Sequence, residues 1–315
     1  MKRFLYTLVT VLGISAPAAL LAQQDAMHAQ NILNHLRINP AYAGYKETPT
    51  VSAFHRSQWI GFKGAPSTQT VSFDAPLKRS KFSLGGSITH DKIGPISTLT
   101  IMGDAAARVQ VSRKGFVSFG LKATGSLLQA NFTDVALVSG RNGEIDELFA
   151  QNARSMFMPN VGFGFFFSDP DHFISLSIPR LLSNRLRTSA GEMTVADLGI
   201  LQQVGYFSAG KMFKIDRTFK FQPALMVRAQ QNAPISIGVN GNLIIADAIK
   251  AGVFYYYKEV AGAFIQYDLD KRLKIGYSLD LATNRLITTN FGSHEIMVSY
   301  MVKEKRRRIV YPRYF

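Results

Sequence analysis

Ile38-Asn39-Pro40-Ala41-Tyr42-Ala43-Gly44 opens the stretch that decides the fold, and Ala75-Pro76-Leu77 ends it. Between them, His55-Arg56-Ser57-Gln58-Trp59 closes one alternating segment. Gly61-Phe62-Lys63-Gly64-Ala65-Pro66 follows as a Gly/Pro loop, and a second alternating segment runs on to Leu77. Alternation, a breaker-rich loop and renewed alternation read as strand, loop and return strand. Trp59, the chain's only Trp, stands at the end of the first of these strands. The remainder reads as the same hairpin, repeated until a barrel closes.

The period of two persists from Thr50 onward. Val117, Phe119, Leu121 and Ala123 oppose Ser118, Gly120, Lys122 and Thr124; near the end, Ile296, Val298, Tyr300 and Val302 oppose Glu295, Met297, Ser299 and Met301. Each such run is a half-buried strand. Alternation alone does not say which face meets lipid, because a soluble sandwich shows the same pattern. Two features favour a membrane. Many strands are about ten residues long, as a tilted crossing requires. No helix of spanning length follows the N-terminus, so an envelope protein must close a barrel to satisfy its backbone. The expected spans are 50–60, 67–75, 81–90, 97–110, 115–127, 155–167, 172–179, 198–210, 218–229, 235–243, 248–257, 260–268, 272–281 and 293–302. The fold class is therefore all-β, a transmembrane antiparallel β-barrel of about fourteen strands, an even number as bacterial barrels have.

The connections carry a direction. Ser112 to Gly115, Ser168 to Asp171 and Asp268 to Lys271 follow even strands and are tight; Leu128 to Arg154, Pro179 to Asp197 and Ala282 to Gly292 follow odd strands and are long. Short periplasmic turns and long external loops put both termini in the periplasm. The short Lys258-Glu259 link, after the eleventh strand, departs from this rule.

Met1-Lys2-Arg3, the apolar run to Leu12 and the small residues up to Ala22 form a secretory signal, 1–22. A leader, 23–49, precedes the barrel, 50–302, and is read either as a short helical turn or two or as a disordered segment. A basic tail, 303–315, follows and contains Arg306, Arg307 and Arg308; Pro312 argues against a paired strand there. Nothing in the 315 residues resembles an interdomain linker. The 23 Phe and 12 Tyr suit lipid-facing walls and interfacial belts. With no cysteine there is no disulfide, thiolate metal site or lipidated N-terminal Cys. Removing Lys2 and Arg3 with the signal leaves 34 basic residues against 21 acidic ones, a charge of +13. An exported chain seldom meets nucleic acid, so anionic outer-membrane lipid or acidic partner surfaces are the expected counter-ions.

The residues bring no catalytic set or cofactor site together. The six histidines show no metal-ligand spacing. His55 lies two positions from Ser57, but no convergent carboxylate is visible. Gly162-Phe163-Gly164 has no helix after it and does not support phosphate binding. Glu144, Asp146 and Glu147 in the longest loop read as a calcium site or as a solvated loop, and Tyr255-Tyr256-Tyr257 as interface anchors or a ligand platform. Arg56, Lys122, Lys220, Arg228, Arg272, Lys274 and Asp280 fall on the polar phase. If that phase is luminal, the interior is wet, charged and mainly basic, either in ion-pair networks or to select a permeant.

Asn39-Pro40-Ala41-Tyr42-Ala43-Gly44, His55 to Trp59, Gly64-Ala65-Pro66 with Thr68-Gln69-Thr70, and Asp91-Lys92-Ile93-Gly94-Pro95, in this order, resemble the PorP/SprF family. These are outer-membrane components of the type IX secretion system of the Bacteroidetes. The resemblance is dense over the first third of the mature chain and diffuse afterwards. It implies a non-enzymatic barrel in the cell outer membrane, with no cofactor or metal. Such a barrel would dock periplasmic ring and motor proteins and lipoproteins, or the C-terminal domains of secreted adhesins, in some hosts for gliding. The expected partner-binding residues are Trp59 and Phe62 in a 60–67 loop, Asp91 and Lys92 in a 91–96 loop that reads either as a recognition loop or simply as a Gly/Pro turn, and Arg306, Arg307 and Arg308 in a tail that reads either as a docking segment or as a solvated run facing lipid headgroups. The alternative is a porin or transporter for anionic or hydrophobic small molecules; an outer-membrane lipase or protease is the weakest reading.

Overall fold

The computed structural model describes residues 34–77, 80–130, 153–182, 185–188, 191–194, 203–230, 233–270, 272–283 and 290–302. The signal, residues 23–33 of the leader, the Glu144, Asp146 and Glu147 cluster and the basic tail with Arg306 to Arg308 lie outside the described residues.

Fourteen antiparallel strands form the wall. They are β1 (Thr50–Ser57), β2 (Ser67–Pro76), β3 (Phe82–Ile93), β4 (Ile96–Gln110), β5 (Phe116–Ala130), β6 (Ala153–Ser168), β7 (His172–Arg180), β8 (Val204–Lys211), β9 (Phe219–Gln230), β10 (Ser236–Ile245), β11 (Ile249–Tyr256), β12 (Val260–Asp268), β13 (Leu273–Ala282) and β14 (Ser293–Met301). Each pairs with its neighbours in sequence. The circle closes where β1 lies against β14, from Thr50 opposite Met301 to Ser57 opposite His294. A separate two-stranded hairpin, Arg185–Thr188 with Gly191–Thr194, leaves the wall between β7 and β8. Closure leaves no unpaired edge, the condition for strands to cross a bilayer. Among the described residues no helix is long and apolar enough to cross one.

The alternation resolves as apolar outward and polar inward. Val71, Phe73, Ile88, Ile101, Phe119, Leu121 and Ile296 face out and are exposed, whereas Ser72, Asp74, Thr89, Lys122, Gln222, Asn242 and Glu295 face the lumen and are buried. All fourteen expected spans carry a strand. The clearest departure is at β3, which continues to Ile93, while β4 starts at Ile96. The expected 91–96 loop is therefore a tight turn made of Gly94 and Pro95 alone, with Gly94 in the left-handed region at φ 56°. Polar His90, Asp91 and Lys92 look loop-like in sequence because the strand there is leaving the apolar zone, not because it ends.

The turns after even strands are short: 77–81, 111–115, 169–171, 212–218, 246–248 and 269–272. Several are fastened by an aspartate. Asp169, Asp216 and Asp270 each accept from backbone amides two and three residues on. In the β12–β13 turn, the amides of Arg272 and Leu273 hold the Asp270 carboxyl below the usual carboxylate range. After odd strands the connections include the long 58–66, 131–152, 181–203 and 283–292, together with two tight ones, Gly94-Pro95 and 257–259. By the rule for outer-membrane barrels, the end with the even-strand turns is periplasmic.

Candidate functional site

Residues 34–49 do not precede the barrel in space: they fold into it. A short helix, α1 (His35–Ile38), and a 3-10 turn, Pro40–Tyr42, lie within the lumen. Leu36, Ile38, Ala41, Tyr42, Ala43 and Tyr45 are all buried. Asn39 is the pivot. Its side-chain amide donates to Phe165 O at 2.9 Å and to Ser175 Oγ at 2.7 Å, while its carbonyl oxygen accepts from the Ala41 amide at 2.9 Å. The wall makes room by omitting side chains. A Cβ on Gly120 would stand 2.7 Å from Ala41 Cα, and one on Gly164 would stand 2.9 Å from Asn39 Cγ. Gly44, at φ 67°, turns the segment against Ser83 and donates to Asp74 Oδ2 at 3.2 Å.

Both ends of this segment lie towards the short-turn end. His35 stacks on Tyr42 with ring centroids 5.2 Å apart; His35 meets Phe166 and Phe173, and Tyr42 meets Phe166, beside the β6–β7 turn. Tyr45 packs on Phe166, and the Arg108 guanidinium lies 5.5 Å from the Tyr45 ring. Ile38 reaches further than Asn39 and Pro40 and meets a second apolar cluster formed by Val204, Tyr206, Met226, Phe254, Tyr256 and Phe264. The segment is a hairpin-shaped plug that enters from the periplasmic end.

Five luminal cations face carboxylates. Arg56 reaches Asp280 through both terminal nitrogens, at 2.7 and 3.2 Å, and Glu295 at 3.4 Å. These three come from β1, β13 and β14, so the guanidinium clamps the seam where the barrel closes. Lys122 pairs with Asp104 at 2.8 Å and donates to Leu36 O at 3.3 Å, tying the wall to the plug. Lys220 pairs with Asp247, Arg228 with Glu259 at 3.6 Å and Lys274 with Asp268 at 2.8 Å. Of the two readings of the luminal charges, these five cations take the first, as ion pairs. Arg272 is not luminal; it lies exposed in the β12–β13 turn.

The 58–66 loop forms a rim at the opposite end. Ile60 donates to Gly292 O and accepts from Phe291 N, both at 2.9 Å, and Gly64 O accepts from Gly94 N at 3.0 Å. The loop is thereby strapped to two neighbouring connections. Trp59 takes a left-handed φ of 47°, strained for a bulky residue, and is half-buried. Phe62 and Phe291 are 57% and 78% exposed, and the Phe291 ring lies over Gly61, whose added Cβ would come within 3.0 Å of it.

Of the expected site residues, Trp59 and Phe62 come together on this rim. Asp91 and Lys92 separate: Asp91 turns inward and accepts from Thr68, while Lys92 faces out. His55 and Ser57 do lie 3.1 Å apart, but the other His55 nitrogen faces Gln69 rather than a carboxylate. Gly162 and Gly164 serve packing, against Pro179 and Asn39. In Tyr255-Tyr256-Tyr257 the outer two point outward, and Tyr256 is buried with its hydroxyl 3.3 Å from Met226 Sδ. Among the described residues no group of three or more His, Asp or Glu could hold a metal. Sequence reasoning missed the plug contacts of Asn39, Gly120 and Gly164; the available signal was glycine recurring on the luminal phase.

A closed, lipid-faced, internally plugged barrel of this kind is an outer-membrane protein. The family model described as type IX secretion system membrane protein PorP/SprF matches residues 20–300. The chain belongs to the PorP/SprF family, and is a non-enzymatic outer-membrane component of the type IX secretion system. No curated protein matches it. Solved structures similar to it include the CymD monoaromatic hydrocarbon channel, at 12% identity and TM-score 0.47, covering 87% of this chain and 92% of that one. A deltaS2 mutant of the TodX monoaromatic hydrocarbon channel is 9% identical at TM-score 0.48, covering 84% and 92%. A Pseudomonas aeruginosa FadL homologue is 11% identical at TM-score 0.40, covering 83% and 92%.

Proposed function

We propose that this barrel is a plugged platform that docks proteins on its two ends rather than a channel that passes solutes. The observation that carries this reading is the 34–49 plug. It occupies the lumen with buried aromatic and aliphatic side chains and is held by Asn39 and by the backbone contacts at Gly120 and Gly164. A lumen filled in this way leaves the two ends as the working surfaces. At the outer end, exposed Ile60 and Phe62 with half-buried Trp59 on the strapped loop, and exposed Phe291 on the connection beside it, offer an apolar rim, the kind of rigid aromatic anchor that dominates protein interfaces. This rim takes the C-terminal domain of a secreted adhesin. At the periplasmic end, the tail with Arg306, Arg307 and Arg308 takes the acidic surfaces of ring and motor proteins and their lipoproteins.

The test is co-purification after mild detergent extraction from native membranes. Trp59→Ala with Phe62→Ala should lose the outer partner and keep the periplasmic one, and deletion of 303–315 should do the reverse. Recovery of the unaltered barrel alone, together with a steady anion-selective conductance, would replace the platform by the channel.

A further inference from the structure

The outward face of β1, β2 and β3, just below the rim, breaks the apolar wall. His55, Gln69 and His90 lie directly opposite one another across these strands, all on the outward phase. Gln69 Nε2 faces His55 Nδ1 at 3.4 Å, and its Oε1 lies 2.9 Å from His90 Nδ1. Ser57 and Ser97 extend the row at either side, 3.1 Å from His55 Nε2 and 3.0 Å from His90 Nε2. One pair nearer the rim, Ser67 stands opposite Lys92. Along the same ladder rungs the row is bordered by Ile296 on β14 and Leu99 on β4. Deeper in the wall the outward positions are apolar: Val71, Phe73, Ile88, Ile101 and Val298.

Polar side chains on a lipid-facing wall are costly unless they are satisfied or meet a polar partner. Outward polar positions continue to His294 opposite Ser57 and to Gln129 opposite Ser97, and give way to apolar ones at Leu279, Ile237 and Phe157 towards the same end of the barrel. The sign of the row is uniform. Lys92 and Lys63 are exposed, and the nearby carboxylates face the other way: Asp91 towards Thr68, and Glu295 and Asp280 towards Arg56. Among the described residues, no carboxylate points outward on these strand ends. The face therefore combines imidazole, amide, hydroxyl and ammonium groups above an uninterrupted apolar slope.

We propose that this flank is a binding site for a phosphorylated glycolipid of the outer leaflet. Lys92 and the two imidazoles take the phosphate. Gln69, Ser57 and Ser97 hydrogen-bond the sugar, and the acyl chains lie along Val71, Phe73 and Ile88. The site depends on the membrane placement of the barrel and not on the docking of any protein partner, so the two readings fail separately. The lipid would bring a fixed anionic headgroup beside the Trp59–Phe62 rim, and so border the surface offered to a partner.

The measurement is native mass spectrometry of the full barrel released from phosphatidylcholine nanodiscs that contain either bisphosphoryl lipid A or phosphatidylglycerol. One lipid A should stay bound through detergent wash, with phosphatidylglycerol retained at least tenfold less. The triple variant His55→Leu, His90→Leu and Lys92→Leu matches the surrounding wall and should retain lipid A at least tenfold less than the unaltered barrel. Heat-modifiable gel mobility checks that it is folded. Should the triple variant not fold, Lys92→Gln alone serves, with a severalfold loss expected, and Lys211→Gln at the opposite rim should change nothing. Equal retention of lipid A by variant and parent, or equal retention of the two lipids, overturns the site.

Discussion

Gly120→Ala is the sharpest probe of the plug. The added Cβ would stand 2.7 Å from Ala41 Cα, where ordinary contact begins at 3.4 Å, and nearer still to the Ala41 amide nitrogen. The plug backbone must therefore retreat by at least 0.7 Å, with no flexible side-chain end to absorb the shift. The wall itself gains, because alanine costs a strand less conformational entropy than glycine. Overpacking of this kind costs about 1–3 kcal/mol. Charged wholly to the plugged state, that raises the unplugged fraction by roughly 5- to 150-fold, at 1.4 kcal/mol per factor of ten. Asn39→Ala acts from the other side by removing three hydrogen bonds, each contributing about 0.5–1.5 kcal/mol. Gly103→Ala is the control, since nothing lies within 4 Å of its added Cβ. In planar bilayers the unaltered barrel should be silent, Gly103→Ala likewise, and Gly120→Ala and Asn39→Ala should flicker open in proportion to these factors. A steady open pore in the unaltered barrel, or silence in both plug variants when gel mobility shows them folded, would refute the reasoning.

Two further outcomes follow from the ion pairs and turns. Arg56→Ala takes the guanidinium from buried Asp280 and Glu295 and should cost about 3–5 kcal/mol, read as a lower temperature for loss of the heat-modifiable band. Adding Asp280→Asn and Glu295→Gln should recover most of that loss, and an unchanged transition in Arg56→Ala would show the seam clamp to be inert. At the β12–β13 turn the folded-state carboxyl of Asp270 titrates below its unfolded value, so its contribution is complete above the usual carboxylate range and disappears as pH falls through the lowered value. Amide exchange at Arg272 and Leu273 should therefore be faster in Asp270→Ala than in the parent at neutral pH, and the two should converge in acid. A difference that persists in acid would assign the protection to something other than the carboxylate.

The strands were legible because a wall one residue thick, apolar outside and polar inside, imposes its period directly on the sequence. Phe119 and Leu121 against Ser118 and Lys122 suffice to place β5. The contents of the lumen were not legible for the opposite reason. Residues 34–49 are too short to show a period, and their partners are remote: Asn39 bonds groups 126 and 136 positions away. The same holds for Arg56, whose carboxylate partners lie 224 and 239 positions on. The luminal phase of these charges was legible, but ion-pair networks and permeant selection both stayed open because pairing cannot be read from phase alone. Phe166 does mislead. Within Phe163-Gly164-Phe165-Phe166-Phe167 it looks like one more lipid-facing ring, yet its phase turns it inward onto Tyr42 and Tyr45.

The density of recognisable motif in the first third of the chain has a physical basis in this arrangement. A wall strand such as β10 or β12 needs only to alternate, and many sequences satisfy it. Asn39 must instead reach a carbonyl and a hydroxyl across the lumen, Gly44 must hold a positive φ against Ser83, and Arg56 must span two strands at the seam. Gly64 and Gly94 must meet backbone to backbone so that the rim loop is strapped down. Each position is held by a stated steric or hydrogen-bonding contact. Together these residues hold the plug, the seam and the rim against partners on β5, β6, β7, β13 and β14. The residues that seat the plug, the seam and the rim therefore lie largely within the motif-bearing stretch. Altering Asn39 or Arg56 should change what the barrel does, at a cost in fold that a single outward Leu or Val would not approach.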